Sequence, residues 1–245
     1  MGELDDPVVV EFPLRGEGWM AVTTPASRIP SHGVDLLGQR YAYDFVKVDD
    51  RSGVPVHPGA RLRTSTIGCR TDGCYAWGAE VHAPFDAVVV AASDGAPERR
   101  WIHPVREFAR MTWNGLTFRP SRIPAILGNH VVLRAGDVYA GFAHLRPDSV
   151  MVRAGDTVRA GEVIGRVGHT GNSTSPHLHF QLMDSADLMT ARGIPCAFAA
   201  YEVRDDDGSW RRVGRGIPGS RDRIRAVGTG EEAATADAFD VDELP

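Results

Sequence analysis

The stretch from Gly168 to Phe180 reads GHTGNSTSPHLHF and sets two histidines, His177 and His179, one residue apart behind a run of turn-formers. In a strand, side chains alternate between faces, so the two imidazoles project together while Leu178 and Phe180 point the other way. That layout suits a metal site facing a cleft. Zinc takes imidazole nitrogen and carboxylate oxygen, and a catalytic zinc keeps one position for water beside three protein ligands. His179 is a candidate for one ligand; His32 and either Asp35 or Asp44 are candidates for the others. Asp44 lies in the aromatic-rich run YAYDF, where a buried acid is costly without a partner such as a metal. Asp35 lies in SHGVDLLG, which reads as a loop, where a carboxylate costs little. Hydrolysis also needs a group to take the water's proton and a group for the oxyanion. One imidazole of the pair can ligate while the other works beside it, and His144, in YAGFAHLRP, is a further candidate.

The elements that must position these residues read as short strands. PVVVEFPL (7–14) and WMAVTT (19–24) are apolar runs split by a Gly-containing turn. RYAYDFVKVD (40–49) alternates, with Ala42, Asp44 and Val46 on one face and Tyr41, Tyr43 and Phe45 on the other. AEVHAPFDAVVVAASDG (79–95) and GNHVVLRAGDVYAGFAHL (128–145) each read as strand, turn, strand, and HLHFQLMD (177–184) as one strand. Residues 51–78 look irregular. In VMVRAGDTVRAGEVIGRVG the pattern V-x-A-G-[DE]-x-[VI] occurs at Val152–Val158 and again at Val158–Ile164, with Gly155 and Gly161 at tight hairpin turns. PVREFARMTWNGL spaces Val105, Phe108, Met111 and Trp113 as a short helix does. It lies in a basic segment, 96–127, with Arg99, Arg100, Arg106, Arg110, Arg119 and Arg122. The segment reads as an excursion with a solvated face or as the wall of a binding cleft.

The fold class expected is mainly β: a compact antiparallel domain with one short helical insertion. Nothing alternates as βαβα, and the glycine fingerprints of dinucleotide and phosphate loops are missing. The expected organisation is N-terminal strands (1–29) packing on the core, a main domain (30–204) holding the 96–127 insertion, an irregular extension (205–228) and an acidic, disordered tail (229–245).

Bulk properties agree. Gly and Pro, 27 and 16 of 245 residues, exceed the usual share, as many tight turns require. The formal net charge of −5 speaks against a nucleic-acid partner. Three cysteines, Cys69, Cys74 and Cys196, do not describe a disulfide scaffold, although Cys69 and Cys74 are close enough for a local bridge. The N-terminus MGELDDPVVVEF is acidic where a signal peptide starts basic, and no run approaches a membrane span. The expectation is a cytoplasmic chain, or one exported by an unrecognised route.

GHTGNSTSPHLHF closely resembles the G-x-T-G-x-S-T-x-P-H-L-H-F signature of the lysostaphin/LytM-type zinc metallopeptidases. YAGFAHL with VRAGDTVRAGEVIGRVG resembles the Y-x-H-L and V-x-x-G-D-x-V-x-x-G-x-x-I-G segment of that family. VHAPFDAVVV resembles its V-x-A-P-x-x-G-x-V strand pair, with Asp86-Ala87 at the turn, and GNHVVL its G-N-x-V-x-[IL]. The resemblance runs over about residues 30–185. It implies Zn2+ held by His32, Asp44 and His179, with His144 and His177 flanking the water and the oxyanion. It also implies a groove across the sheet, G-D-x-V hairpins beside the zinc, and peptide or peptidoglycan substrates, often with glycine at the scissile bond. The upstream half departs from the family's H-x-x-x-D, because Arg40 stands four before Asp44. A longer loop must then bring in His32, with Asp35 as the fallback ligand.

Three function classes follow. The first is a zinc metalloendopeptidase cleaving peptidoglycan stem or cross-link peptides. The second is a catalytically silent zinc-binding or substrate-binding regulator of cell-wall hydrolases. The third is a carrier domain, disfavoured because the only lysine, Lys47, lies in a strand away from the glycine turns.

Overall fold

The computed structural model describes residues 4, 6–49, 56–59 and 61–226. Its strands are β-branched and aromatic segments that each have one face to bury. Seven carry the argument: β1 (Trp19–Thr23), β2 (Tyr43–Lys47), β3 (Ala87–Ser93), β4 (Asn129–Ala135), β5 (Val138–Leu145), β6 (Leu178–Met183) and β7 (Cys196–Arg204). The large sheet runs β7, Ile224–Ala226, β1, β2, β6, β5, β4, β3, and each neighbour along that run is antiparallel. Val8–Glu11 lies parallel to β7, and Thr157–Val158 closes the far edge against β3. The architecture is mainly antiparallel β.

The ladders around β6 divide the side chains by face. Leu178, His179 and Phe180 stand opposite Phe45, Asp44 and Tyr43 of β2, and on the other side His179 and Phe180 stand opposite Ala143 and Phe142 of β5. One face therefore carries Tyr43, Phe45, Phe142, Leu178 and Phe180, all fully buried. The sheet curls so that Phe198 of β7 reaches this cluster, its ring centroid 5.1 Å from Tyr43 and 5.7 Å from both Phe45 and Phe180. The opposite face carries Asp44 and His179.

The helical insertion is α1 (Pro104–Leu116), followed by a second short helix at Ile123–Leu127. Pro104 starts α1, where a missing N–H costs nothing. Among the described residues no helix is long and apolar enough to cross a membrane.

Three expectations are corrected. Of the stretch 205–228, read as irregular, the described residues 205–226 hold two strands: Trp210–Gly216 pairs with β7, and Ile224–Ala226 bridges β7 to β1. Its arginines and glycines hid the strands, because an exposed edge strand needs no apolar alternation. Residues 61–66 form a helix within the stretch 51–78 read as irregular. The two glycine turns are not hairpins beside the metal-ligand candidates. Their strands pair elsewhere, Thr157–Val158 with β3 and Val163–Arg166 with Glu80–His82. Each turn is closed locally by its own acid, which accepts from the backbone N–H of Arg153 (Asp156, 2.7 Å) or Arg159 (Glu162, 3.1 Å). Cys69 and Cys74 are buried free thiols. The acidic tail 229–245 lies outside the described residues.

Phe198 joins β7 to the aromatic cluster under β6. Phe198→Ala should cost roughly 3–5 kcal/mol of stability, read as a lower urea midpoint at an unchanged m value.

Candidate metal centre and the groove beside it

The β2–β6 register sets Asp44 directly across from His179, with His179 Nδ1 2.9 Å from Asp44 Oδ1. His32 arrives on the loop between β1 and β2. Ser31 donates its N–H to the Arg40 carbonyl (2.9 Å), which folds the loop back and leaves His32 Nε2 3.0 Å from Asp44 Oδ2. One donor atom from each of the three lies within 4.8 Å of the others. Tetrahedral zinc binds N and O donors at about 2.0–2.1 Å, hence roughly 3.3 Å apart. The trio fits that spacing and that chemistry.

The outer nitrogens of the two imidazoles are also engaged. His179 Nε2 faces Gln181 Oε1 at 2.9 Å, and the Gln181 amide nitrogen donates to the Leu37 carbonyl at 2.8 Å. His32 Nδ1 faces Ser31 Oγ at 3.1 Å. Each ring can keep its proton on the outer nitrogen and turn a lone pair toward Asp44, the arrangement a metal ligand needs. Asp35, the fallback, is not in this group. It pairs with Arg40 at 2.5 Å, and that arginine is the residue four before Asp44.

His144 and His177 join from two other elements. Their ring centroids are 4.9 Å apart, and His144 is 5.9 Å from His179. His144 sits at φ +65°, in a β5–β4 bulge where the ladder steps from Leu145↔Asn129 to Phe142↔Val131. A left-handed backbone at a bulge re-aims a side chain and is uncommon for a residue with a Cβ. His144 Nδ1 is 3.0 Å from the Thr170 carbonyl, and His177 Nδ1 is 2.7 Å from the Ser175 carbonyl. Both rings therefore hold a proton on Nδ1, and Nε2 of His177 lies 3.5 Å from Asp44 Oδ1.

The charges are shared unevenly. Burial pushes the Asp44 carboxyl up, but His32 and then His177, with His179 beside them, together hold it well below the usual range. Burial and the two neighbouring imidazoles push His144 well down, so it stays neutral. Burial lowers His177, but Asp44 more than offsets this and the net direction is up.

A cleft of about 820 Å³ opens beside these groups. Asp44, His32 and His177 line it on one side, and Phe108 and Met111 of α1 line it on another. The 96–127 segment is thus a cleft wall.

Comparison with known proteins falls on the C-terminal half of this site. Residues 114–190 match Peptidase family M23. The lysostaphin-type resemblance of the histidine block is thereby shown for that stretch, which contains His144, His177 and His179; His32 and Asp44 lie upstream of it. The DD-carboxypeptidase/endopeptidase Mpg of Neisseria meningitidis is 51% identical over 55 residues, 22% of this chain and 12% of that protein. The glycyl-glycine endopeptidase ALE-1 of Staphylococcus capitis is 41% identical over 59 residues, 24% of this chain and 16% of that protein. The match thus spans under a fifth of the length of either. The catalytic domain of lysostaphin from Staphylococcus simulans aligns at 24% identity over 58% of this chain and 86% of that chain, with a TM-score of 0.32.

Four residues around the site escaped sequence reasoning: Gln181, Ser173, Arg99 and Glu107. Gln181 had a usable signal, since it shares a face with His179 two residues on. Arg99 was visible only as one of six arginines.

His169, beside Ser173, is pushed down to about 3 by burial and then by Arg99. The unfolded chain therefore takes a proton near 6.5 that the folded chain refuses. Stability falls as pH drops from 6.5 toward 3, by up to roughly 1.4 kcal/mol per pH unit. His169→Asn should make the loss between pH 7 and pH 5 shallower in urea titrations; an unchanged slope would contradict a neutral His169.

Proposed function

We propose that the chain is a zinc-dependent metalloendopeptidase that hydrolyses peptide bonds of peptidoglycan stem or cross-link peptides. The observation that carries the reading is the convergence of His32, Asp44 and His179 within 4.8 Å, with two further imidazoles against them. The M23 match and the endopeptidase names of the relatives support the peptidase class and the substrate class. His32, Asp44 and His179 would hold the metal. When bound, zinc supplies a Lewis acid that polarises a carbonyl and lowers the pKa of a coordinated water.

The protein's own part follows from the tautomers. His177 lines the cleft with its Nδ1–H held by the Ser175 carbonyl, so its Nε2 takes the water's proton and passes it to the leaving amine. His144 stays neutral, and its Nε2 accepts a hydrogen bond from the water and orients it. A silent regulator would call for a broken ligand set. His32 is displaced in sequence yet stands 3.0 Å from Asp44, which supports the catalytic reading over that one.

Purified protein should carry about one zinc per chain, lose hydrolysis of muropeptides or glycine-rich cross-link peptides on chelation, and regain it with added zinc. Zinc-loaded wild type that leaves every such peptide intact would sink the proposal. His177→Ala should keep its zinc while kcat falls roughly 10²–10⁴-fold. Gln181→Ala should weaken zinc affinity about 10–100-fold, measured by competition with a chromogenic chelator.

A further inference from the structure

α1 is built inside out. Its one buried residue is an acid, Glu107, while Val105, Phe108, Trp113 and Leu116 are exposed. A buried carboxylate is costly without a partner. The partner is Arg99, also from the 96–127 segment, whose Nε donates to Glu107 Oε2 at 3.0 Å. Three further donors of that guanidinium go to the loop before the H-x-H pair. Nη1 donates to the Gly171 carbonyl at 3.0 Å, and Nη2 to the Ser173 carbonyl at 2.8 Å and to His169 Nε2 at 3.2 Å.

These contacts fix hydrogen positions, because a guanidinium only donates. His169 Nε2 must therefore accept, which puts its proton on Nδ1. That proton is donated to Ser173 Oγ, 2.9 Å away. The single hydroxyl hydrogen of Ser173 goes to the Ser175 carbonyl at 2.6 Å. His177 Nδ1 then faces two acceptors, the Ser175 carbonyl at 2.7 Å and Ser173 Oγ at 3.2 Å. Only a proton on Nδ1 satisfies both.

We propose that Glu107, Arg99, His169 and Ser173 form a positioning chain that locks the His177 imidazole in one orientation, with Nδ1–H held by the loop and Nε2 directed at the cleft and at Asp44 Oδ1, 3.5 Å away. The inference rests on the reading above that His177 serves the water. The neutral His169, with its pKa near 3, is the state the chain requires. Other residues of the same segment grip the same loop. Glu98 Oε1 accepts from the His169 N–H at 2.6 Å, the Asn114 amide donates to Asn172 Oδ1 at 2.8 Å, and the Ile126 carbonyl accepts from the Asn172 N–H at 2.8 Å. An excursion with only a solvated face would make none of these contacts.

The test uses the full-length, zinc-loaded chain with ring-¹⁵N-labelled histidine. Arg99→Lys keeps the charge but cannot point donors in all the required directions. Ser173→Ala removes one oxygen and keeps the fold readable if an Arg99 variant fails to fold. Both should lower kcat on a cross-linked muropeptide roughly 10–100-fold with KM and zinc content unchanged. Both should also move the His177 ring nitrogens from a single Nδ1–H pattern toward an averaged one. Wild-type kcat together with an unchanged His177 nitrogen pattern in folded Ser173→Ala and Arg99→Lys would overturn the proposal. Should wild type cleave no peptide, the nitrogen pattern still decides the chain's role, and the two readings fail separately.

Discussion

His179 and Asp44 face each other across the β6–β2 ladder, and the period of two then commits their neighbours. Leu178 and Phe180 must enter the core with Tyr43 and Phe45 if the imidazole and the carboxylate are to share a face. A one-residue slip would bury the acid among aromatic rings and expose those rings to the cleft. The fully buried aromatic cluster thus holds the ligand candidates in register as much as it holds the fold together.

The polar face balances in a similar way. An acid this enclosed needs partners, and His32, His177 and His179 all approach Asp44 within 3.5 Å. The left-handed backbone at His144 is a local strain of about 1–3 kcal/mol. The core beneath it is dense enough to hold that strain, since Phe142, Ala143 and Leu145 on either side are all buried. The bulge takes His144 out of strict alternation and lets β5 offer an imidazole to a face it would otherwise close with alanine.

Much of this was legible in the residues. Alternation placed His177 with His179 and found β2, β5 and β6, and α1 was read from the spacing of its apolar residues. The same spacing misleads about burial, because the apolar stripe of α1 faces the cleft and solvent while Glu107 is buried. Strand period cannot reveal a bulge, so His144 could be suspected from its type but not aimed. The Trp210–Gly216 strand was illegible because its partner, not its own pattern, makes it a strand. The pairing of His32 with Asp44 rests on a loop closure between residues twelve apart, for which sequence offered two acids. The ion pair between Asp35 and Arg40 discriminates between them, and only the folded loop reveals it.

The sheet does not hold every group equally. The ladder partners of β6 begin at Leu178, so His179 and Asp44 are fixed from both sides by backbone hydrogen bonds. His177 precedes the strand and receives no such support. In its proposed role as base, His177 must be aimed as well as present, because small misplacements cost large factors in rate. Ladder geometry ends one residue too early for this imidazole, and the orientation has to come from the 168–176 loop. A loop rich in Gly and Ser cannot orient itself, since its residues lose the most freedom on ordering and bring little apolar surface to bury. The half-buried Arg99, with its acid behind it and three loop acceptors in front, supplies what the strand does not. The 96–127 segment therefore extends the rigid scaffold by the one residue the sheet leaves unsupported, and its outer face remains free to line the cleft.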